Sequence, residues 1–303
     1  VSIPLTRPVE YAKVSSKVRK LHASSAAFAS ALNRITLAKY DGVCGIAHFK
    51  PGQAARMLSR TGEDYSLSCS AVLDKLAGAL MDAGYGDFEL FVMGEVWRPN
   101  CPQPKISGDF RQQHSIIHDF DYRVFDLVNM DEPLSMQPYY LRMDRYREVV
   151  GFAKVRGLHW AEAVISDDTP EQLARTIGFG YDGIVVWDLM GLPLDDAKAT
   201  GGEAVKFKPN ITVDVRCNGG IQGEGKHVGR LGSLTFAFAG KTGSVGTGFS
   251  DKQRTEFWRA LVAGTADSPS GQIIEVEAMG YTPDGQLREP RFKGLRFDKK
   301  ESD

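Results

Sequence analysis

Three lysines and a few carboxylates carry the chemistry this chain could do. Lys39 opens the tetrapeptide Lys39-Tyr40-Asp41-Gly42, and Lys206 and Lys208 stand two apart in Lys206-Phe207-Lys208-Pro209. An amine is a nucleophile only when neutral, and a free lysine, with a pKa of ~10.4, is almost wholly protonated near neutral pH. Neighbouring cations and partial burial both favour the neutral form. Residues two apart on a strand share a face. Lys206 and Lys208 could therefore place positive potential beside Lys39 and hold phosphate oxygens. The same spacing fits a solvated strand face. Asp182, Glu95 and Asp41 are hard oxygen donors, and carboxylates combined with substrate phosphates suit Mg²⁺. Each lies at a strand or turn, where a surface ion pair is the commoner explanation. Phe125 follows three alternating residues and by position reads as core. Arg60, in Ser59-Arg60-Thr61-Gly62, reads as a surface arginine before a turn, although its planar fork could grip a phosphate.

These groups need a scaffold. Short runs rich in Val, Ile, Phe and Tyr predict strands at Ile35–Tyr40, Val43–Phe49, Phe88–Trp97, Tyr122–Val128, Gly183–Asp188 and Ala204–Phe207. One or two helices are expected in residues 8–34, and others at Ser70–Ala83, Tyr139–Ala153 and Thr169–Ile177. Asp168-Thr169-Pro170-Glu171 supplies a cap and a first-turn proline for the last. Past Pro209 glycine becomes frequent. Runs at Thr212–Arg216, Leu231–Phe238 and Ile273–Met279 alternate with Gly-rich turns, and one helix is expected at Ser250–Ala263. Short strands with a single helix suggest a small barrel of the OB type. The 303 residues thus divide into domains 1–209 and 210–303, with a hinge near 209–211.

The formal net charge of −1 gives no overall attraction to nucleic acid. The distribution is uneven. From residue 204 onward there are 15 Lys+Arg against 12 Asp+Glu, and before it 22 against 26. Any DNA contact must come from a local basic face. No apolar run is long enough for a membrane span, and the N-terminus lacks a signal-peptide core. The four cysteines form no C-x-x-C pair and read as reduced thiols of a cytoplasmic protein.

In order and spacing the pieces resemble the covalent nucleotidyltransferases, the superfamily of DNA ligases, RNA ligases and mRNA capping enzymes. They are Lys39–Gly42, Ser59–Gly62, Gly94-Glu95, Phe125-Asp126, Asp182-Gly183, Lys206–Pro209 and Arg296-Phe297-Asp298-Lys299. The likeness is greatest to small bacteriophage- and bacterial-type ATP-dependent DNA ligases. It runs from about Thr36 to Lys299, with Val245–Ser250 and Asp284–Phe292 similar to ligase OB-domain segments. The resemblance implies an α+β adenylation domain of antiparallel sheets and flanking helices, then a C-terminal OB-fold β-barrel. It implies that Lys39 takes AMP from ATP, with Mg²⁺ bound by Asp182 and Glu95. Glu95 could equally bind ribose. Phe125 would stack on adenine, and Lys206 and Lys208 would hold phosphate. Arg296 and Lys299 would orient pyrophosphate. Arg60 would contact phosphate or ribose of the nucleotide or of the nick. Arg111 ends Ser107-Gly108-Asp109-Phe110-Arg111, which is similar to a weaker conserved turn of the family. With Arg60 and Lys208 it is an expected DNA contact. The implied partner is nicked duplex DNA in replication or repair, met by a monomer in a bacterial or phage-infected cell.

Four positions depart from the family pattern. Cys44 stands where K-x-D-G-x-R has arginine, and Leu37 where a glutamate often lies two before the lysine. Asp182 replaces the usual glutamate of DNA ligases, as in capping enzymes. Trp187 stands where that segment usually ends in lysine. Alternatives are an mRNA capping guanylyltransferase, an RNA ligase, or a non-enzymatic OB-fold nucleic-acid binder. Gly240-Lys241-Thr242 is no P-loop, because the first glycine of that pattern would fall on Thr235. His114 and His118 have helical spacing but lack the acid and cysteines of a zinc site.

Overall fold

The computed structural model describes residues 3–22, 24–112, 114–153, 158–163, 181–208, 210–282, 284–299 and 301–302. The helix expected at Thr169–Ile177 lies outside them. Contacts divide the chain into two compact units, Val1–Lys208 and Pro209–Asp303.

Two sheets dominate the first unit. One has five strands in the order Arg56–Leu58, Val43–Phe49, Leu90–Trp97, Asp121–Asn129 and His159–Trp160. Its central strand begins Leu90-Phe91-Val92-Met93, buried on both faces, as a continuous apolar run requires. The other has four strands in the order Val9–Glu10, Ala204–Phe207, Ile184–Asp188 and Arg34–Ala38. Helix Ser70–Asp82 buries Val72, Leu73, Leu76, Ala79 and Leu80, a stripe of helical period. Helix Tyr139–Ala153 buries Tyr139, Arg142, Met143, Tyr146, Val149 and Val150. Two short helices, Ser16–Arg19 and Ser25–Ala29, precede the first long strand. The Ser107–Arg111 segment is the end of a helix, Gln103–Phe110, and not a turn; Pro102 stands at its N-cap and Pro104 falls in the first turn, where proline is tolerated.

The second unit is one antiparallel sheet with a helix. The strand order is Lys241–Val245, Leu231–Phe238, Ile211–Gln222, Ile273–Ala278 and Arg291–Leu295. Its two edges meet at Thr247, whose carbonyl accepts the Phe292 N–H at 2.9 Å. Helix Asp251–Ala263 starts with a capping box between Ser250 and Gln253. Its Arg254 is buried and donates to the carbonyls of Leu231, Gly232 and Gly246 at 2.7–2.9 Å. The Gly240-Lys241-Thr242 decoy is a hairpin. Ala239 and Gly240 both have positive φ between the paired residues Phe238 and Lys241. The mixed α+β class expected from the sequence holds.

Candidate active site

Lys39 follows the last residue of strand Arg34–Ala38, and Asp182 lies just before the antiparallel strand Ile184–Asp188. Backbone pairing continues past both strand ends. The Lys39 N–H donates to the Gly183 carbonyl at 2.9 Å, and the Asp182 N–H to the Lys39 carbonyl at 2.8 Å. The side chains therefore meet, with Lys39 Nζ 2.6 Å from Asp182 Oδ2. Lys208, just past strand Ala204–Phe207, reaches the same oxygen at 3.0 Å. Gly183 permits this closeness. Its φ is +132°, and a Cβ there would lie 2.2 Å from the Phe207 carbonyl oxygen.

The Asp182 side chain is 3% exposed. Burial pushes its carboxyl pKa up, but Lys39 and then Lys208 outweigh that and hold it below the ordinary aspartate value. The Lys206 amine is lowered by burial first and then by Lys208, with Lys39 and Lys13 adding to the effect against Glu10.

Glu95 comes from the five-stranded sheet, opposite Cys44 on one side and Arg123 on the other. The Lys39–Gly42 turn lies against its strand. A Cβ on Gly42 would fall 2.2 Å from the Val96 carbonyl oxygen and 2.9 Å from Glu95 Cγ. Burial raises the Glu95 carboxyl to about 7, against the opposing fields of Lys39 and Arg60. Cys44 is likewise pushed up to about 12 by burial and by Glu95. It is thus an uncharged thiol where the family pattern carries a cation. Arg60 is exposed, and its field reaches both Glu95 and Cys44.

Phe125 is half-buried, its ring 6.2 Å from that of Trp187. Trp187 stacks on Tyr139 at 4.4 Å and 7°. The position where the family pattern has lysine is therefore packed core. Arg111 caps helix Gln103–Phe110, exposed, and among the described residues touches none of the groups around Lys39.

Several supporting residues escaped the sequence reading. Asp126, fully buried, pairs with Arg142 through bonds of 2.7 and 3.3 Å. Arg142 also donates to the Gln137 carbonyl at 2.6 Å and the Gly191 carbonyl at 3.0 Å. Tyr40 meets Trp97 and Tyr181 edge-on at 5.1 and 5.0 Å, and the Arg123 guanidinium lies over the rings of Tyr40 and Trp97. Tyr40 adjoins Lys39, so this cluster fixes the turn that carries the nucleophile candidate. Of these, Tyr40 and Asp126 stand in segments the sequence singles out, Lys39–Gly42 and Phe125-Asp126, whereas Arg142, Arg123 and Tyr181 stand in none.

Arg296 and Lys299 belong to the second unit. They converge there on Asp214, whose side chain is 3% exposed. Arg296 contacts both Asp214 oxygens at 3.1 and 3.3 Å and forks onto Asp298 at 2.8 and 3.0 Å.

Residues 222–296 match the family described as the DNA ligase OB-like domain. The DNA ligase of Thermococcus onnurineus is 26% identical over 296 residues, which cover 86% of this chain and 51% of that protein. The chain thus spans about half the length of the curated relatives it matches. Among solved structures, one named Pmar-Lig_PreS3 superposes with a TM-score of 0.75 at 21% identity, covering 97% of this chain and 67% of the other. The ATP-dependent DNA ligase of bacteriophage T7, in complex with ATP, superposes with a TM-score of 0.52 at 17% identity, covering 96% and 98%. Over most of its length the chain is thus similar in sequence to curated DNA ligases and in fold to these solved structures, and residues 222–296 carry the DNA ligase OB-like domain.

Proposed function

We propose that this chain is an ATP- and Mg²⁺-dependent DNA ligase that seals nicks in duplex DNA, with residues 1–209 as its adenylating domain and 210–303 as its OB domain. The observation that carries the reading is the convergence of Lys39 and Lys208 on one buried carboxylate oxygen of Asp182. Lys39 Nζ attacks the α-phosphorus of ATP; a P–N bond forms and the bond to pyrophosphate breaks. The departing proton has the Asp182 carboxylate in hydrogen-bond reach. AMP then passes to the 5′-phosphate at the nick, and the 3′-hydroxyl displaces AMP to seal the strand. Covalent capture splits one hard displacement into easier ones.

Asp182 and Glu95, both within the field of Lys39, are the carboxylates that would hold magnesium, with nucleotide phosphates completing the shell. Bound there, the metal would offset charge on the phosphoryl oxygens. Lys206 and Lys208 supply further positive potential, and Phe125 offers a partly exposed aromatic face to adenine. Arg60 and Arg111 are exposed cations suited to phosphates of the nick.

The test is the intact mass of the protein after incubation with Mg²⁺ and ATP or GTP, beside Lys39→Ala. An AMP-sized gain with ATP alone, absent from Lys39→Ala, supports the reading. A GMP-sized gain moves it to a capping guanylyltransferase. No gain, in protein shown to be free of AMP as purified, overturns it. Sealing of a nicked DNA duplex against a nicked RNA duplex then fixes the substrate.

A further inference from the structure

The first unit is acidic, with 24 Lys+Arg against 26 Asp+Glu. One stretch stands apart. Residues 11–22 (YAKVSSKVRKLH) hold Lys13, Lys17, Arg19, Lys20 and His22 and no acid. Lys13, Lys17, Arg19 and Lys20 are all exposed. Lys13 pairs with Glu10 at 3.0 Å. Among the described residues, Lys17, Arg19 and Lys20 have no carboxylate partner.

The backbone beneath these cations is fixed. Tyr11 packs on the rings of Phe28 and Phe207 at 5.4 and 6.2 Å. Val14 is buried and Val18 packs on the same cluster. The Ser15 N–H donates to the Thr200 carbonyl at 2.8 Å, and Arg19 Nε donates to the Val14 carbonyl at 2.9 Å. The stretch also starts beside the phosphate lysines. Strand Val9–Glu10 runs parallel to Ala204–Phe207, with Glu10 opposite Lys206.

We propose that Lys17, Arg19 and Lys20, with Lys13 at their inner end, form a docking surface for the sugar-phosphate backbone of duplex DNA flanking the strand break. This rests on the ligase reading above. Exposed lysines with no buried polar partner cannot select a small anion. They can track a polyanion, because each phosphate neutralised releases condensed counterions. A platform already held by packing loses little freedom when it binds. Contacts of this kind position the duplex and read no sequence.

The experiment is a salt titration of nicked-duplex binding, followed by anisotropy of a labelled DNA. It compares the wild-type chain with Lys17→Gln/Lys20→Gln and Lys17→Arg/Lys20→Arg. Arg19 is kept because it braces Val14. The glutamine pair should bind several-fold more weakly at moderate salt. Its slope of log affinity against log salt should be shallower by about 0.9 for each phosphate that is no longer neutralised. The arginine pair should bind like wild type, and AMP loading of Lys39 should be the same in all three. An unchanged affinity and slope in the glutamine pair overturns the proposal. So does a fall in AMP loading that parallels the weaker binding, which would make the patch part of the nucleotide site. AMP loading of the wild type tests the ligase reading separately: its absence sinks that reading, while the slope comparison still decides on the docking surface.

Discussion

At the scale of single residues, the site places two carboxylates in opposite electrostatic settings. Asp182 is held below its ordinary pKa by two lysines despite burial. Glu95 is raised to about 7 by burial despite two cations. Their linkage to folding has opposite sign. The folded state holds the Glu95 proton more tightly than the unfolded chain does. That contribution to stability is complete below about pH 4.5, the ordinary glutamate value, and is lost as pH rises through about 7. For Asp182 the contribution is present above the unfolded value and is lost as pH falls through its depressed folded value. Glu95→Gln should therefore flatten the fall in stability between pH 4.5 and 7, a difference of roughly 1–3 kcal/mol. Urea unfolding at several pH values, without nucleotide or metal, measures it. A variant whose pH slope in that window equals that of wild type would remove Glu95 as its source. Gly42→Ala is a second expectation at this scale. The new methyl would press on the Val96 carbonyl, so the Lys39–Gly42 turn must shift. AMP loading should fall by at least tenfold, while far-ultraviolet circular dichroism stays unchanged. Loading at the wild-type rate would mean that the turn relaxes without moving Lys39.

At the scale of elements, the buried Asp126–Arg142 pair joins strand Asp121–Asn129 to helix Tyr139–Ala153. Truncating one partner leaves a buried charge, at a cost of about 3–5 kcal/mol. Arg142→Leu should destabilise the first unit by that order in chemical denaturation. Asp126→Leu added to Arg142→Leu should recover part of the loss, since two apolar groups leave no orphan charge. If the double variant is less stable than Arg142→Leu alone, Asp126 has further partners that outweigh the pair. Elements of this size were largely legible in the sequence. Val43–Phe49 and Tyr139–Ala153 fall where apolar period puts them, and Ser250 caps its helix with the Gln253 partner that the capping box needs. Gln103–Phe110 was not legible, because Pro104 and Gly108 break the helical pattern that its buried Ile106 and Phe110 complete. The Arg142 bond was not legible either. It joins residues 16 apart through a turn of the chain, and no local pattern marks it. The site itself was readable as an ordered set of short segments. What the segments could not convey is that Trp187 fills core space against Tyr139 in the place of a family lysine.

At the scale of the whole molecule, the second unit holds its two candidate phosphate cations in an acidic setting. Arg296 and Lys299 are met by Asp214, Glu275 and Asp298, one more carboxylate than cation. Such a cluster attracts no pyrophosphate while its ion pairs stay closed. If these cations serve the first step of ligation, they must exchange carboxylate for phosphate oxygens, and that exchange belongs to nucleotide loading alone. Arg296→Ala in the full chain should then slow AMP loading of Lys39 by tenfold or more. The same variant, loaded with AMP beforehand by prolonged incubation, should seal a nicked duplex at close to the wild-type single-turnover rate. A purely structural role for Arg296 predicts something else. Without its bonds to Asp214 the sheet of the second unit would loosen, and loading and sealing would be impaired together. The ratio of the two rate losses therefore separates the roles, and a ratio near one would assign Arg296 to the fold.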